Sequence, residues 1–524
     1  MSQENQEQAP PASKSGGIFS HIFGRGVRGS TGTVDRSGTG TKSTLNLPDI
    51  QGFILRGYRM PFVRHFSLAV GVPAAARMLL SRFVNGDESD APQITTSEDW
   101  HVGFEPGPGD NPADVPRHKP DYCLNLGFTW PGMIALEVND RVPTLSFKSF
   151  GAFTAGAAAR AVLVGDTGPG GPENWVGEFG KSSEHVLVTL HAISPEAMTA
   201  YSARLSALFA EGDAFREIWR GDGMALVEMK DGQPNFTAKV HFGYTDGIGL
   251  TTIQGGPERY PEDHQKACEP WLFVLLNEAE NYIVPEPKEL GLNGSFAVFK
   301  IIETDVVGFE NFLQSNKEKI DPELLAAKMC GRWRNGVPLA LSPETNNPSG
   351  GIAIDQLNNF EYVNADGSGD PKGLRCPVGA HIRRINPRGQ PVTGQGHPGG
   401  SNNTHRLIRR GLPYGPPYDP RKPYDGIERG LMGYFINSNI ENQYEFVLSQ
   451  WVNQSEFAGS VRLHPKSKDP IIGTQDPAES IFVIPQANGA PPIKATGFSS
   501  FIKTRAAAYC FLPSITAIKF ISQL

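Results

Sequence analysis

Cys376-Pro377-Val378-Gly379-Ala380-His381-Ile382-Arg383-Arg384-Ile385-Asn386-Pro387-Arg388 is the stretch on which the reading of this chain turns. One histidine stands among four arginines once Arg375 is counted. Neighbouring cations disfavour the imidazolium form, so His381 is expected to lose its proton readily. A neutral imidazole is what a metal ligand must be. The guanidinium groups suit an anionic cofactor with carboxylates or phosphates. An iron porphyrin, with a metal and two propionates, combines both demands. The competing reading is a core histidine in a basic loop.

Two further tracts narrow the choice. Gly243-Tyr244-Thr245-Asp246-Gly247 follows a run, Phe236 to Phe242, that reads as a strand. Arg409-Arg410-Gly411-Leu412-Pro413-Tyr414-Gly415 lies downstream. The order GxxDG, CPxGAHIRRxNPR, RRGLPYG resembles the dye-decolorising (DyP-type) haem peroxidases. The likeness runs from about Leu47 to Leu524. Gly411 stands where some branches of that family carry asparagine, which points to the larger, C/D-like branch.

The resemblance implies an α+β fold of two ferredoxin-like halves, each an antiparallel sheet with helices, of the dimeric α+β barrel type. It implies haem b in the second half, with His381 as axial ligand. It puts Asp246 and Arg409 on the opposite, distal side. Arg388 matches a family position that contacts a haem propionate, and Arg384 is expected to share that task. Asp469, in Lys468-Asp469-Pro470-Ile471-Ile472-Gly473, is the best match for the carboxylate that takes the other N–H of the ligating histidine. Gly430-Leu431-Met432-Gly433-Tyr434-Phe435 resembles a segment lining the distal pocket, so Leu431 is expected against the cofactor. An aromatic residue usually stands at the position of Gly433. A glycine there implies a wider pocket, or one refilled by Tyr434 or Phe435.

The chemistry implied is peroxide reduction. A carboxylate takes a proton from peroxide and returns it to the departing oxygen. Arginine supplies a fixed cation for the charge that develops as the O–O bond breaks. The partners implied are hydrogen peroxide and an aromatic or dye-like electron donor, in a homodimer or larger homo-oligomer. With an ordinary carboxyl pKa of about 4, Asp246 predicts turnover that is best on the acid side of neutrality. Trp333 and Tyr434 are candidates for passing electrons to bulky donors, against the simpler reading that both pack in the core.

Two other functions compete. One is a haem-binding or iron-acquisition protein of the same fold, which carries haem as cargo and needs neither Asp246 nor Arg409. The other is an enzyme that pairs Cys376 as thiol with His381 as base. The five cysteines form no CxxC and no disulfide framework, which favours a reducing compartment.

Size and composition set the remaining limits. A chain of 524 residues, 39% hydrophobic and 20% charged, is long enough for two domains and ordinary for a globular protein. A net charge of −7 argues against nucleic acid as a partner. No run of 18 apolar residues marks a membrane span. Residues 1–44 are polar and lack a signal-peptide core, so they are expected to form a disordered tail, and the protein to be cytoplasmic, with encapsulation or non-standard export left open. Residues 45–255 and 256–524 are expected to form the two halves. Pattern predicts strands at His65–Val70, Cys123–Phe128, His185–Leu190, Trp271–Leu276 and Gly294–Ile302. Helices are expected over Pro73–Val84, from Pro195 to about Phe209, over Val306–Lys317, along the face marked by Ile440, Tyr444, Val447, Leu448 and Trp451, and near Ile515.

Overall fold

The computed structural model describes residues 45–98, 120–147, 150–257, 265–277, 284–392, 402–419, 425–458 and 463–524. The expected tail, residues 1–44, lies outside the described residues.

The strands, in chain order, are β1 (Phe62–Val70), β2 (Tyr122–Phe128), β3 (Val186–Ala192), β4 (Phe215–Met224), β5 (Val227–Lys230), β6 (Gln233–Phe236), β7 (Ser295–Thr304), β8 (Ile408–Tyr414), β9 (Gly430–Asn437), β10 (Ile481–Ile484), β11 (Ile493–Thr496) and β12 (Ile502–Leu512). Eight of them form one sheet in the order β4-β1-β3-β2-β12-β7-β9-β8, and neighbouring strands in it pair antiparallel. β1 to β4 make one half of this sheet. β12, β7, β9 and β8 make the other. The seam is narrow: β2 meets β12 through the pair Phe128 and Phe511. With helices packed on the sheet, the fold is a mixed α+β one.

The sheet curls until its outer strands approach. A Cβ added at Gly223 in β4 would lie 3.2 Å from the carbonyl oxygen of Pro413 in β8. No ladder closes the gap among the described residues, so β8 stays an edge strand and the barrel stays open.

Local chemistry explains the helices. Ser194 accepts a hydrogen bond from the Ala197 amide and Pro195 opens the first turn, so the helix Pro195–Ala210 begins where sequence places it. Asp305 and Ser514 cap Val306–Ser315 and Ile515–Ser522 in the same way. The segment Glu441–Val452 is wound as two π-helical stretches rather than an α-helix. It presses Tyr444, Val447 and Trp451 into the interior.

Two expected strands are not formed. Trp271–Leu276 is largely buried, but Pro270–Leu272 is a 3-10 turn, and the backbone then folds back through Val274 onto Pro270. An apolar run marks burial, and here burial comes in a turn. Phe236–Phe242 keeps only an isolated bridge, Lys239 with Thr245, after β6 ends. This bridge closes the loop that presents Asp246.

Candidate active site

One cavity of about 1020 Å³ holds most of the residues marked by the three tracts. His381, Asp246, Arg409, Arg388 and Leu431 all line it. Its size is at the upper end of the range for small-molecule sites, roughly 300–1,000 Å³.

His381 opens a short helix, His381–Ile385, directly after the turn at Pro377–Ala380. Its Nδ1 lies 2.9 Å from Oδ2 of Asp469, which is fully buried. The other oxygen of Asp469 accepts from the amides of Ile471 (2.8 Å) and Ile472 (3.0 Å). Burial alone would push this carboxyl up. The ring of His381, the amide of Ile472 and Arg384 outweigh it and hold the group below its ordinary range. A carboxylate fixed in this way keeps a proton on Nδ1 and orients the ring. Nε2 is then the nitrogen with a lone pair for a metal.

Asp246 and Arg409 meet in the same cavity. Arg409 Nη2 donates to Asp246 Oδ1 at 3.0 Å. Their side chains are 45% and 44% exposed, and both line the cavity. Burial pushes the Asp246 carboxyl up, but the Arg409 charge, the Gly247 amide and the His381 ring together pull it below the ordinary value. The aspartate is therefore an anion at neutral pH, held beside a permanent cation.

Arg388 lines the cavity with its guanidinium stacked over Phe360 at 3.9 Å. Nη1 donates to the carbonyls of Asn358 and Phe360 at 3.0 and 2.8 Å. Arg406, which the sequence reading overlooked, lines the same cavity and donates to Gln265 and Thr251.

Arg384 corrects the expectation made for it. The residue is fully buried and its guanidinium is enclosed by carbonyls: Gly379 (3.2 Å), Trp451 (2.5 Å), Gln454 (2.8 Å) and Ser467 (3.2 Å). It braces the turn before His381 against the π-helical segment and does not line the cavity. Arg383 is equally buried, bound to Asp370, Cys376 and Gln390.

Cys376 is fully buried, and burial pushes its thiol up to about 11. The pairing of a reactive thiol with His381 therefore loses its nucleophile. Trp333 and Tyr434 line the cavity but are 6% and 3% exposed, so neither reaches the outer surface of the protein, where a donor too bulky for the cavity would have to bind.

A buried cluster in the cavity wall was also missed. Lys300 donates to both oxygens of Asp166 (2.8 and 2.9 Å) and to Tyr444 Oη (3.1 Å), and Thr504 donates to Asp166. A single lysine inside the apolar strand Phe296–Ile302 was the available signal. Its partner is 134 residues away in a glycine-rich loop.

Gly433 has a reason beyond an open pocket. It sits opposite Gly411 across β8 and β9 at φ +154°, and an added Cβ would lie 2.0 Å from the Arg410 carbonyl. The two strands close on each other there, and no side chain fits that backbone.

The donor set fits a haem. A single imidazole with its second nitrogen anchored, a largely apolar cavity, and arginines in its wall suit an iron porphyrin with two propionates.

No family model matches the chain. Among curated proteins, it is 27% identical over 509 residues to Peroxidase 2 of Mycetinis scorodonius, covering 93% of this chain and 90% of that one. It is 30% identical over 372 residues to a dye-decolorizing peroxidase of Mycena epipterygia, covering 68% of this chain and 66% of that one. Among solved structures, a dye-decolorizing peroxidase in complex with 2,6-dimethoxyphenol superposes with a TM-score of 0.72 at 25% identity, over 91% of this chain and all of that one. Sequence, fold and cavity agree in their assignment: the chain belongs to the dye-decolorising (DyP-type) haem peroxidases.

Proposed function

We propose that this enzyme reduces hydrogen peroxide at a haem b held by His381 and oxidises phenols and dyes, with Asp246 as proton carrier and Arg409 as fixed cation. The observation that carries the reading is the Asp246–Arg409 ion pair in the cavity that His381 also lines. Haem, when bound, supplies the redox chemistry.

The protein's own residues do the rest. His381 would hold the metal through Nε2, with Asp469 fixing the orientation of the ring through Nδ1. Asp246, ionised beside Arg409, takes a proton from peroxide at one oxygen and delivers it to the other, which leaves as water. Arg409 cannot give up its proton, so it stabilises negative charge on the separating oxygens. Arg388 and Arg406, both in the cavity wall, would meet the propionates. Leu431, which lines the same cavity, would give the porphyrin an apolar contact. Cargo carriage needs neither Asp246 nor Arg409, so their pairing here favours catalysis.

We further read residues 45–255 and 256–524 as two ferredoxin-like units. β1 to β4 precede that boundary and β7, β8, β9 and β12 follow it.

The test is a peroxide titration of the haem-loaded protein. One equivalent should change the Soret spectrum within seconds, and a phenol should restore it. Slow bleaching with no phenol-dependent recovery would favour a carrier.

A further inference from the structure

Neighbouring residues on a strand face opposite ways, so Arg409 and Arg410 serve different chambers. Arg410 pairs across the ladder with Tyr434, on the face turned into the curl of the sheet. Phe53, Tyr58, Met60, His191 and Tyr434 line that side with it, and all belong to the large cavity. One cavity reaches both faces because β8 is the edge of the sheet.

The Arg410 guanidinium is positioned but not neutralised. Its Nε donates to the Phe53 carbonyl at 2.8 Å, and Nη1 makes a long contact, 3.4 Å, with the Arg409 carbonyl. Among the described residues no carboxylate lies within ion-pair distance of it. A half-buried cation without a counter-ion is costly, and one with donors to spare is a site for an anion.

A second group points the same way. Nδ1 of His191 is buried with no hydrogen-bond partner among the described residues. Burial and the Arg410 charge hold this imidazole neutral, with its pKa down to about 3. The remaining walls are aromatic. Tyr58 meets the His191 ring edge-on at 5.1 Å, and Phe53 meets Tyr434 edge-on at 5.2 Å.

We propose that this chamber is a subsite for an aromatic carboxylate donor, its carboxylate on Arg410 and its ring among Phe53, Tyr58 and Tyr434. An inorganic anion would satisfy Arg410 but leave the aromatic walls without contact. A neutral phenol would do the reverse. The proposal rests on the peroxidase reading and deepens it by naming the donor. Each turnover removes one electron and one phenolic proton from each of two donors and reduces one hydrogen peroxide to two waters.

The experiment measures equilibrium binding to the resting haem-loaded enzyme, without peroxide. The probes are 4-hydroxybenzoate and its methyl ester, which share a ring and differ in charge. A charge-assisted contact contributes about 1.5–3 kcal/mol, so the acid should bind about ten-fold or more tighter than the ester. Arg410→Gln should abolish that preference, and Arg410→Lys should keep part of it. Equal binding of acid and ester by the unmodified enzyme overturns the proposal, even where a variant fails to fold. So does an unchanged preference in Arg410→Gln. A wrong peroxidase reading shows separately, as no spectral response to peroxide in the same sample.

Discussion

Arg409 Nη2 and Asp246 Oδ1 stand 3.0 Å apart although 163 residues separate them in sequence. The pair joins a loop closed by the Lys239–Thr245 bridge to the edge strand β8. An anion and a cation are thereby preorganised for a reaction that moves a proton and then develops negative charge.

Removing either partner should slow the reaction with peroxide and leave haem content intact. Asp246→Asn loses the proton acceptor, and Arg409→Leu loses the cation. Each is expected to cost about 10²- to 10³-fold in the peroxide rate constant. Rapid-mixing absorbance measures this, with the Soret band before mixing as the control for haem.

The pH profile follows from the same pair. The folded pKa of Asp246 lies below its unfolded value, so the active anion persists above it and is lost as pH falls through it. The peroxide rate constant should therefore stay high well into the acid range and fall only below the ordinary carboxylate pKa. In Arg409→Leu the acid limb should move to higher pH, because the largest stabilising partner of the carboxylate is gone. Rate constants measured between pH 2.5 and 7 test both statements.

Asp469→Asn should weaken the metal site without emptying the cavity. The amide cannot hold the Nδ1 proton as a carboxylate does, and loss of such a partner typically lowers metal affinity about 10- to 100-fold. Competition of the loaded variant with excess apomyoglobin gives the rate of haem loss. Asp469 is also held below its ordinary pKa, so the stability it contributes is present at neutral pH and lost as pH falls through the folded value.

Arg384→Met separates bracing from cofactor contact. It strips donors from the carbonyls of Gly379, Trp451, Gln454 and Ser467 together. Unfolding by urea should show a loss of about 3 kcal/mol or more. A direct propionate contact would instead weaken haem binding and leave apoprotein stability unchanged.

Much of this was legible because it is local. Ser194 and Pro195 announce the helix Pro195–Ala210 within three residues. Asp469 stands out as the best match in Lys468–Gly473 to the carboxylate a ligating histidine needs, and the two amides that fix it lie in the same segment. What was not legible depends on partners far away in sequence. Arg384 reads as a free cation until Trp451, Gln454 and Ser467 surround it. Lys300 reads as a flaw in a strand until Asp166 meets it. Gly433 reads as a vacant pocket position until Gly411 lies opposite. Trp271–Leu276 shows that an apolar run specifies burial without specifying extension.

A crystal structure of the haem-loaded enzyme tests the central claim most directly. The account predicts iron bound to Nε2 of His381, with Asp246 and Arg409 together on the far face of the porphyrin. Iron on any other side chain, or those two residues on the same face as His381, would contradict it.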